Sequence, residues 1–343
     1  MSRQQLTKLA RNSFKYIIPL VISIGLCYLL FTDIDFNEMI AKIKDENNCL
    51  WWIGLALFLS IFSHIIRAMR WRIQLRTLNI NSPLNALVNS IFGTYAVNLV
   101  FPRLGELWRT GYISQRQGAS FPNVFGSMVA ERFADTITVL TLTVITFLLA
   151  GNDIMAFIQE SHETYDKLAS LFSSPYLWLA LAAVSAFLWW FFTHKSDNSV
   201  IRKTKEAIKG LWQGFAAITR MKNKGRWLIL TLMLWGCYFL QLYVAFYAFP
   251  ETAEALEKHG TIIALVCFVL SSISMGVPSN GGIGPWQFAV IFALHNLYGI
   301  DKMTSVAFAN LVLGAQTCLL ILLGLYTFAS IAIENRRKRQ IAQ

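Results

Sequence analysis

Apolar runs of about the ~20 residues that a helix needs to cross a hydrocarbon core of roughly 30 Å recur along this chain of 343 residues. Hydrocarbon offers no water to backbone N–H and C=O groups, so only helices and closed barrels span it. Uninterrupted apolar runs of this length read as helices. The composition agrees, because the charged share of 14% is well below the roughly 25% of soluble domains. The expected fold is an all-α polytopic membrane protein, one integral membrane domain over residues 1–343, with no stretch left for a soluble catalytic module.

A net charge of +11 raises nucleic acid as a partner, but the placement of the charge argues against it. Residues 1–15 carry Arg3, Lys8, Arg11 and Lys15, then 16–31 are apolar. Phe31-Thr32-Asp33 follows where a secretory signal would have small residues, so an uncleaved first span with a cytoplasmic N-terminus is expected. The loop 33–50 is acidic and therefore external, and a second span, 51–70, returns to Arg67, Arg70, Arg72 and Arg76. Residues 84–101 are apolar yet basic on both flanks. Parity predicts a re-entrant hairpin that turns near Pro102 to Gly105 and leaves by Gly118.

Beyond it the same reasoning gives a span at 132–150, an acidic external loop at 151–174 and a returning span at 175–193. Residues 195–226 form a basic amphipathic helix on the cytoplasmic surface, either lying on the lipid or packed on the bundle. A span at 227–249 and an acidic loop at 250–259 follow. Two short apolar pieces, 261–276 and 284–299, flank Pro278-Ser-Asn-Gly-Gly-Ile-Gly-Pro285. They read as a second hairpin entering from outside, with two thin crossings as the alternative. A last span, 303–330, leads to the basic tail 331–343. The result is about seven full spans plus two re-entrant hairpins of opposite orientation, or eight spans with broken helices, the pattern of an inverted repeat. The basic excess faces anionic lipids of the inner leaflet rather than nucleic acid.

Ionisable groups at membrane depth are costly, and they persist where they pair or handle a polar ligand. Arg103, Glu106 and Arg109 fall at i, i+3 and i+6, while Glu131 and Asp135 share a helix face with Arg132 alongside. Together they can neutralise one another in part and leave arginine free to fork onto a phosphate. The plain alternative is an ion-pair cluster that pins the hairpin to the next span. Asn280, Gly281, Gly282 and Gly284 make a run able to expose backbone N–H groups as an anion nest, or simply to turn the chain. Ser60, His64, Gln241, Asn310 and Gln316 read as hydrogen-bonding partners between helices. The cysteines and histidines have no paired spacing, so neither a metal nor a cofactor is expected, and no catalytic residue is assigned.

Asn98, Pro102-Arg103, Gly105-Glu106, Arg109, Glu131-Arg132 and Asp135, followed by Pro278-Ser-Asn280-Gly281-Gly282-Ile-Gly284, resemble the membrane domain of lysylphosphatidylglycerol synthases. That domain also occurs alone in flippase-like proteins of bacteria and archaea. The resemblance covers nearly the whole chain. It implies a bacterial plasma-membrane protein with both termini cytoplasmic, and it implies lipid translocation, since in the fused synthases this half is credited with flipping the aminoacylated lipid to the outer leaflet. Two departures qualify it. The aminoacyl-transfer domain is missing, so synthesis of lysyl-lipid is not expected. Gln287 stands where the family motif usually has Glu.

The leading expectation is a translocase for an anionic or headgroup-modified lipid, a phospholipid or a polyprenyl-type lipid. Arg103, Arg109 and Arg132 hold the phosphate in this reading, and Glu106, Glu131 and Asp135 balance them or relay protons. Asn98 joins them through the resemblance, and Asn280, Gly281, Gly282, Gly284 and Gln287 meet the headgroup from the other side. The alternatives are a membrane-embedded lipid-modifying enzyme with Glu106 or Asp135 as general base, and a non-transporting lipid-binding partner of a separate enzyme.

Overall fold

The computed structural model describes residues 36–160 other than Pro102, residues 220–341 other than Pro278, and the single positions 175, 179, 212, 215 and 216. The expected first span at 16–31 lies outside the described residues, as do nearly all of the span at 175–193 and most of the amphipathic helix at 195–226.

Every regular element among the described residues is helical: α1 (Phe36–Ile43), α2 (Trp51–Thr77), α3 (Leu84–Val100), α4 (Leu104–Gln117), α5 (Phe121–Glu160), α6 (Lys224–Ala245), α7 (Pro250–His259), α8 (Thr261–Ser274), α9 (Pro285–Ile291) and α10 (Lys302–Ile341). Four stretches are long and apolar enough to cross a bilayer: Trp51–Thr77, Phe121–Gly151, Lys224–Ala248 and Lys302–Glu334. A fifth arises if α7 and α8, bent by 109° at Gly260, count as one broken span. The chain is a multi-pass membrane protein. Its lipid-like surface is visible on α5, where Leu140, Val144 and Leu148 repeat every fourth residue and stand exposed among the described residues.

Element ends differ from the sequence reading in several places: the loops read at 33–50 and 250–259 contain the helices α1 and α7, and α5 starts at Phe121 rather than 132. The second span runs on to Thr77. The segment from 151 to 160, read as loop, is helical, because α5 continues to Glu160 through a kink at Ala150 (φ −112°, ψ 15°). The basic tail is helical as far as Ile341.

The bundle has a basic and an acidic end. At the basic end Arg116 of α4 forks onto Glu334 of α10, with Nη1 2.7 Å from Oε2. At the acidic end Lys42 donates to Glu251, and Thr304 Oγ1 lies 3.5 Å from the same carboxylate. Asp301 caps α10 there by accepting the Thr304 N–H at 2.9 Å, a bond that holds its carboxyl below the usual range.

Two helical hairpins start from these opposite ends. The first is α3–α4. It begins and ends at the basic end, where Gln117 Nε2 reaches Ser82 Oγ at 3.5 Å. Its turn carries Arg103 in the left-handed region (φ 60°), an uncommon place for a residue with a side chain. Asn98 staples the turn: its Oδ1 accepts the Gly105 N–H at 2.8 Å, and its Nδ2 reaches both Glu106 oxygens at 3.3 and 3.4 Å. The arms nearly touch, since a Cβ on Gly105 would run into the Thr94 carbonyl and one on Gly93 into the Trp108 ring.

The second hairpin is α8–α9. It leaves from the acidic end after α7 and returns there before α10. Its turn holds Gly281, Gly282 and Gly284 at φ 64°, 89° and 91°, values that L-residues avoid. Gln287 fastens the start of α9 by accepting the Gly284 N–H at 3.0 Å, and it also donates to Asn310 of α10. A π-helical turn, Phe292–Leu297, ends this arm.

The hairpins meet tip to tip. A Cβ on Gly281 would lie 2.6 Å from Leu99 Cδ2, and Arg103 donates to the Gly276 carbonyl. Both hairpins also pack on α5 and α10, through α4 and α8 on α5 and through α3 and α9 on α10, while α3 packs on α2 as well.

Candidate functional site

On α2, the positions Ser60, Ser63, His64, Arg67, Arg70, Trp71 and Gln74 recur at helical spacing and all are buried. This is a polar stripe facing the inside of an apolar bundle. The facing helix α5 offers Glu131 and Asp135, one turn apart, and α4 adds Arg109.

These side chains form one buried cluster. Arg67 Nη2 lies 2.7 Å from Asp135 Oδ2, and its Nε lies 3.3 Å from Glu131 Oε1. Arg70 Nη2 bridges the acids, at 2.8 Å from Asp135 Oδ1 and 3.3 Å from Glu131 Oε1. Arg109 Nη2 takes the other Glu131 oxygen at 3.2 Å, with its guanidinium stacked over Trp71 at 4.4 Å. Arg132 closes the set at 3.5 Å from Glu131 and 3.9 Å from Asp135. Arg67 also donates to the Tyr95 hydroxyl on α3.

Charge and donors are both in excess. Four guanidiniums face two carboxylates, which leaves two positive charges among the described residues. Nε and Nη1 of both Arg70 and Arg109 find no hydrogen-bond partner there, although both residues are fully buried. Buried cations without compensation cost several kcal/mol, and an arrangement of this kind can take an anion with several acceptor oxygens. The side chain of Arg132 is 38% exposed, against 10% or less for the other five members, so the cluster opens on the Arg132 side. Along α2, Arg70 stands seven residues before Thr77, which places the cluster roughly 10 Å inside the basic end.

The twelve residues expected at the site divide into three groups. Arg109, Glu131, Arg132 and Asp135 come together in the cluster. Asn98 and Glu106 staple the first hairpin, and no ion pair among the described residues joins Glu106 to Arg103 or Arg109. Arg103 is exposed at the tip contact with Gly276, where Asn280, Gly281, Gly282, Gly284 and Gln287 build the opposing turn. Asn280 Oδ1 is buried there without a hydrogen-bond partner among the described residues.

Arg67 and Arg70 were missed as site residues, having been read as cytoplasmic-flank charges. The available signal was their i, i+3 spacing in phase with Ser60, Ser63 and Gln74. The lone polar groups behave largely as expected: Gln316 Nε2 donates to Ser60 Oγ at 2.7 Å, and Asn310 meets Gln287. His64 Nε2 lies 3.4 Å from the same Ser60 hydroxyl, and its ring packs 4.5 Å from Tyr95. A polar track therefore runs from α10 to the arginine cluster.

Over residues 16–324 the sequence matches the family described as the lysylphosphatidylglycerol synthase TM region. It is similar to a UPF0104 membrane protein of Pyrococcus horikoshii, 22% identical over 292 residues, which are 75% of this chain and 85% of that protein. It is also similar to the glycosyltransferase AglD of Haloferax volcanii, 31% identical over 110 residues, which are 32% of this chain but 17% of the relative's length.

Proposed function

The chain belongs to the lysylphosphatidylglycerol synthase TM-region family, and from that premise we propose that it translocates an anionic or headgroup-modified lipid between the leaflets of a bacterial plasma membrane. The observation that carries this reading is the buried excess of arginine over carboxylate between α2, α4 and α5. In a bilayer such an excess has few uses other than holding an anion, and a phosphate suits the planar guanidinium donors. Arg67, Arg70, Arg109 and Arg132 hold the phosphate, with Glu131 and Asp135 keeping the guanidiniums in place. Acyl chains remain in the lipid while the headgroup moves between the hairpins.

The basic end faces the cytoplasm in this reading, following the positive-inside rule, and both termini lie there. The hairpins α3–α4 and α8–α9 then enter from opposite faces as the paired elements of an inverted repeat.

The test is translocation by purified protein in liposomes that carry a headgroup-labelled anionic lipid. Label in the inner leaflet should reach an impermeant quencher faster than in protein-free liposomes, and Arg109→Gln should slow it by about tenfold, as expected for losing one charge-assisted contact of about 1.5 kcal/mol. Wild-type protein no faster than bare liposomes would refute transport. Lipid turnover in detergent would point to an enzyme instead, and lipid binding without either would point to a partner of a separate enzyme.

A further inference from the structure

We infer that the anion taken by the arginine cluster is a terminal phosphate carrying two negative charges, a lipid phosphomonoester or diphosphate end rather than the singly charged diester of an ordinary phospholipid. This rests on the lipid-binding reading above and narrows its substrate class.

The argument is one of charge and access. Arg67 and Arg70 on α2, Arg109 on α4 and Arg132 on α5 supply four positive charges, and Glu131 and Asp135 on α5 return two. The other groups that face the site are neutral hydroxyls, Tyr95 of α3 and Tyr238 of α6, with His64 one turn away on α2. Glu106 lies one turn before Arg109, held by Asn98; it makes no ion pair with the set, and its carboxylate acts on Arg109 only through space, as the weakest of that residue's charged neighbours. Among the described residues, two positive charges of the ion-pair network therefore await compensation.

Access decides how they are met. Three of the four arginine side chains are 6% exposed or less, and only that of Arg132 is open. With one open arginine among the described residues, two separate monoanions have no independent ways in, so a single ligand has to bring both charges. A phosphodiester brings one and leaves a buried guanidinium uncompensated. A terminal phosphate brings up to two charges and three strong acceptor oxygens. The spare donors match that demand: Nε and Nη1 of Arg70 and Arg109, and Nε of Arg132, are buried without hydrogen-bond partners among the described residues.

The inference predicts a pH signature that belongs to the ligand. A phosphomonoester takes its second ionisation near pH 6, whereas a phosphodiester keeps a single charge throughout. Binding of phosphatidic acid should therefore weaken as pH falls from 8 to 5, while binding of phosphatidylglycerol stays flat. Any titration of the protein itself, His64 included, acts on both lipids and cancels in the comparison.

The experiment measures retention of phosphatidic acid and phosphatidylglycerol with identical acyl chains by the full chain in detergent micelles, at pH 8 and pH 5. Inorganic phosphate serves as a soluble probe. The expected result is at least about tenfold preference for phosphatidic acid at pH 8, shrinking toward parity at pH 5, as one additional charge-assisted pairing of about 1.4 kcal/mol would give. Arg132→Gln, at the exposed member, should weaken retention of both lipids and reduce that preference, because the site then has one positive charge fewer to be met. Equal retention of the two lipids at pH 8 would overturn the dianion assignment while leaving the lipid-binding reading intact. Retention of neither lipid would overturn both. Binding of inorganic phosphate without phosphatidic acid would overturn the assignment to a lipid.

Discussion

Glu131 is the residue on which the cluster depends. It is fully buried, both its oxygens are engaged, and every arginine of the set lies within 3.5 Å of it. Glu131→Ala should therefore lower stability by about 3–5 kcal/mol, because it leaves further guanidiniums unpaired at membrane depth. Glu106→Ala should cost about 1 kcal/mol or less, since only the long contacts from Asn98 are lost. Thermal unfolding of both variants in detergent checks the contrast, and similar losses would mean that the cluster is not the buried network described here. The sequence reading gives Glu106 the same role as Glu131 and Asp135, because it stands between Arg103 and Arg109. Chain spacing shows which side chains share a face; it does not show that Arg103 turns away at a left-handed residue, or that Arg67 and Arg70 turn inward from what looks like a cytoplasmic flank. Those facts depend on which helix packs opposite, and one sequence does not contain that information. Glu131 with Asp135, in contrast, was legible, because paired acids inside an apolar run have no cheap alternative to a partner.

At the scale of the element, the first hairpin was readable because proline and glycine interrupt an apolar run with basic flanks. Its rigidity was not. Gly105 and Gly111 sit on the same helix, yet a Cβ at 105 would collide with the Thr94 carbonyl, and one at 111 would meet nothing within 4 Å. Gly105→Ala should destabilise by about 1–3 kcal/mol, the range for overpacking, since backbone is the obstacle. Gly111→Ala should be neutral or stabilise by up to about 1 kcal/mol through helix propensity. Unfolding midpoints of the two variants test this, and equal effects would mean that the arms are not in backbone contact. Element ends were legible only where composition and helix end together. The run from 151 to 160 is polar enough to leave a membrane, and so was read as loop. Polarity ends a span without ending a helix, and α5 continues past Ala150.

At the scale of the whole molecule, the two ends of the bundle make the topology testable. Residues 76 and 115 flank the first hairpin near the basic end, while Asp45 lies near the acidic end, and all three are exposed. Arg76→Cys and Gln115→Cys should label from the same face of the membrane and Asp45→Cys from the other. Labelling of 76 and 115 from opposite faces would make α3 a full crossing and reverse every later element. The tip-to-tip meeting of the hairpins then has an energetic consequence. Among the described residues the seam includes Leu99 against Gly281 and one hydrogen bond from Arg103 to the Gly276 carbonyl. The bond is exposed, so solvent screens most of its strength, and the leucine is only half-buried. Few contacts cross this seam among the described residues, whereas the arms of each hairpin are packed along their length, so the tips can part without disturbing the packing of either hairpin on the bundle.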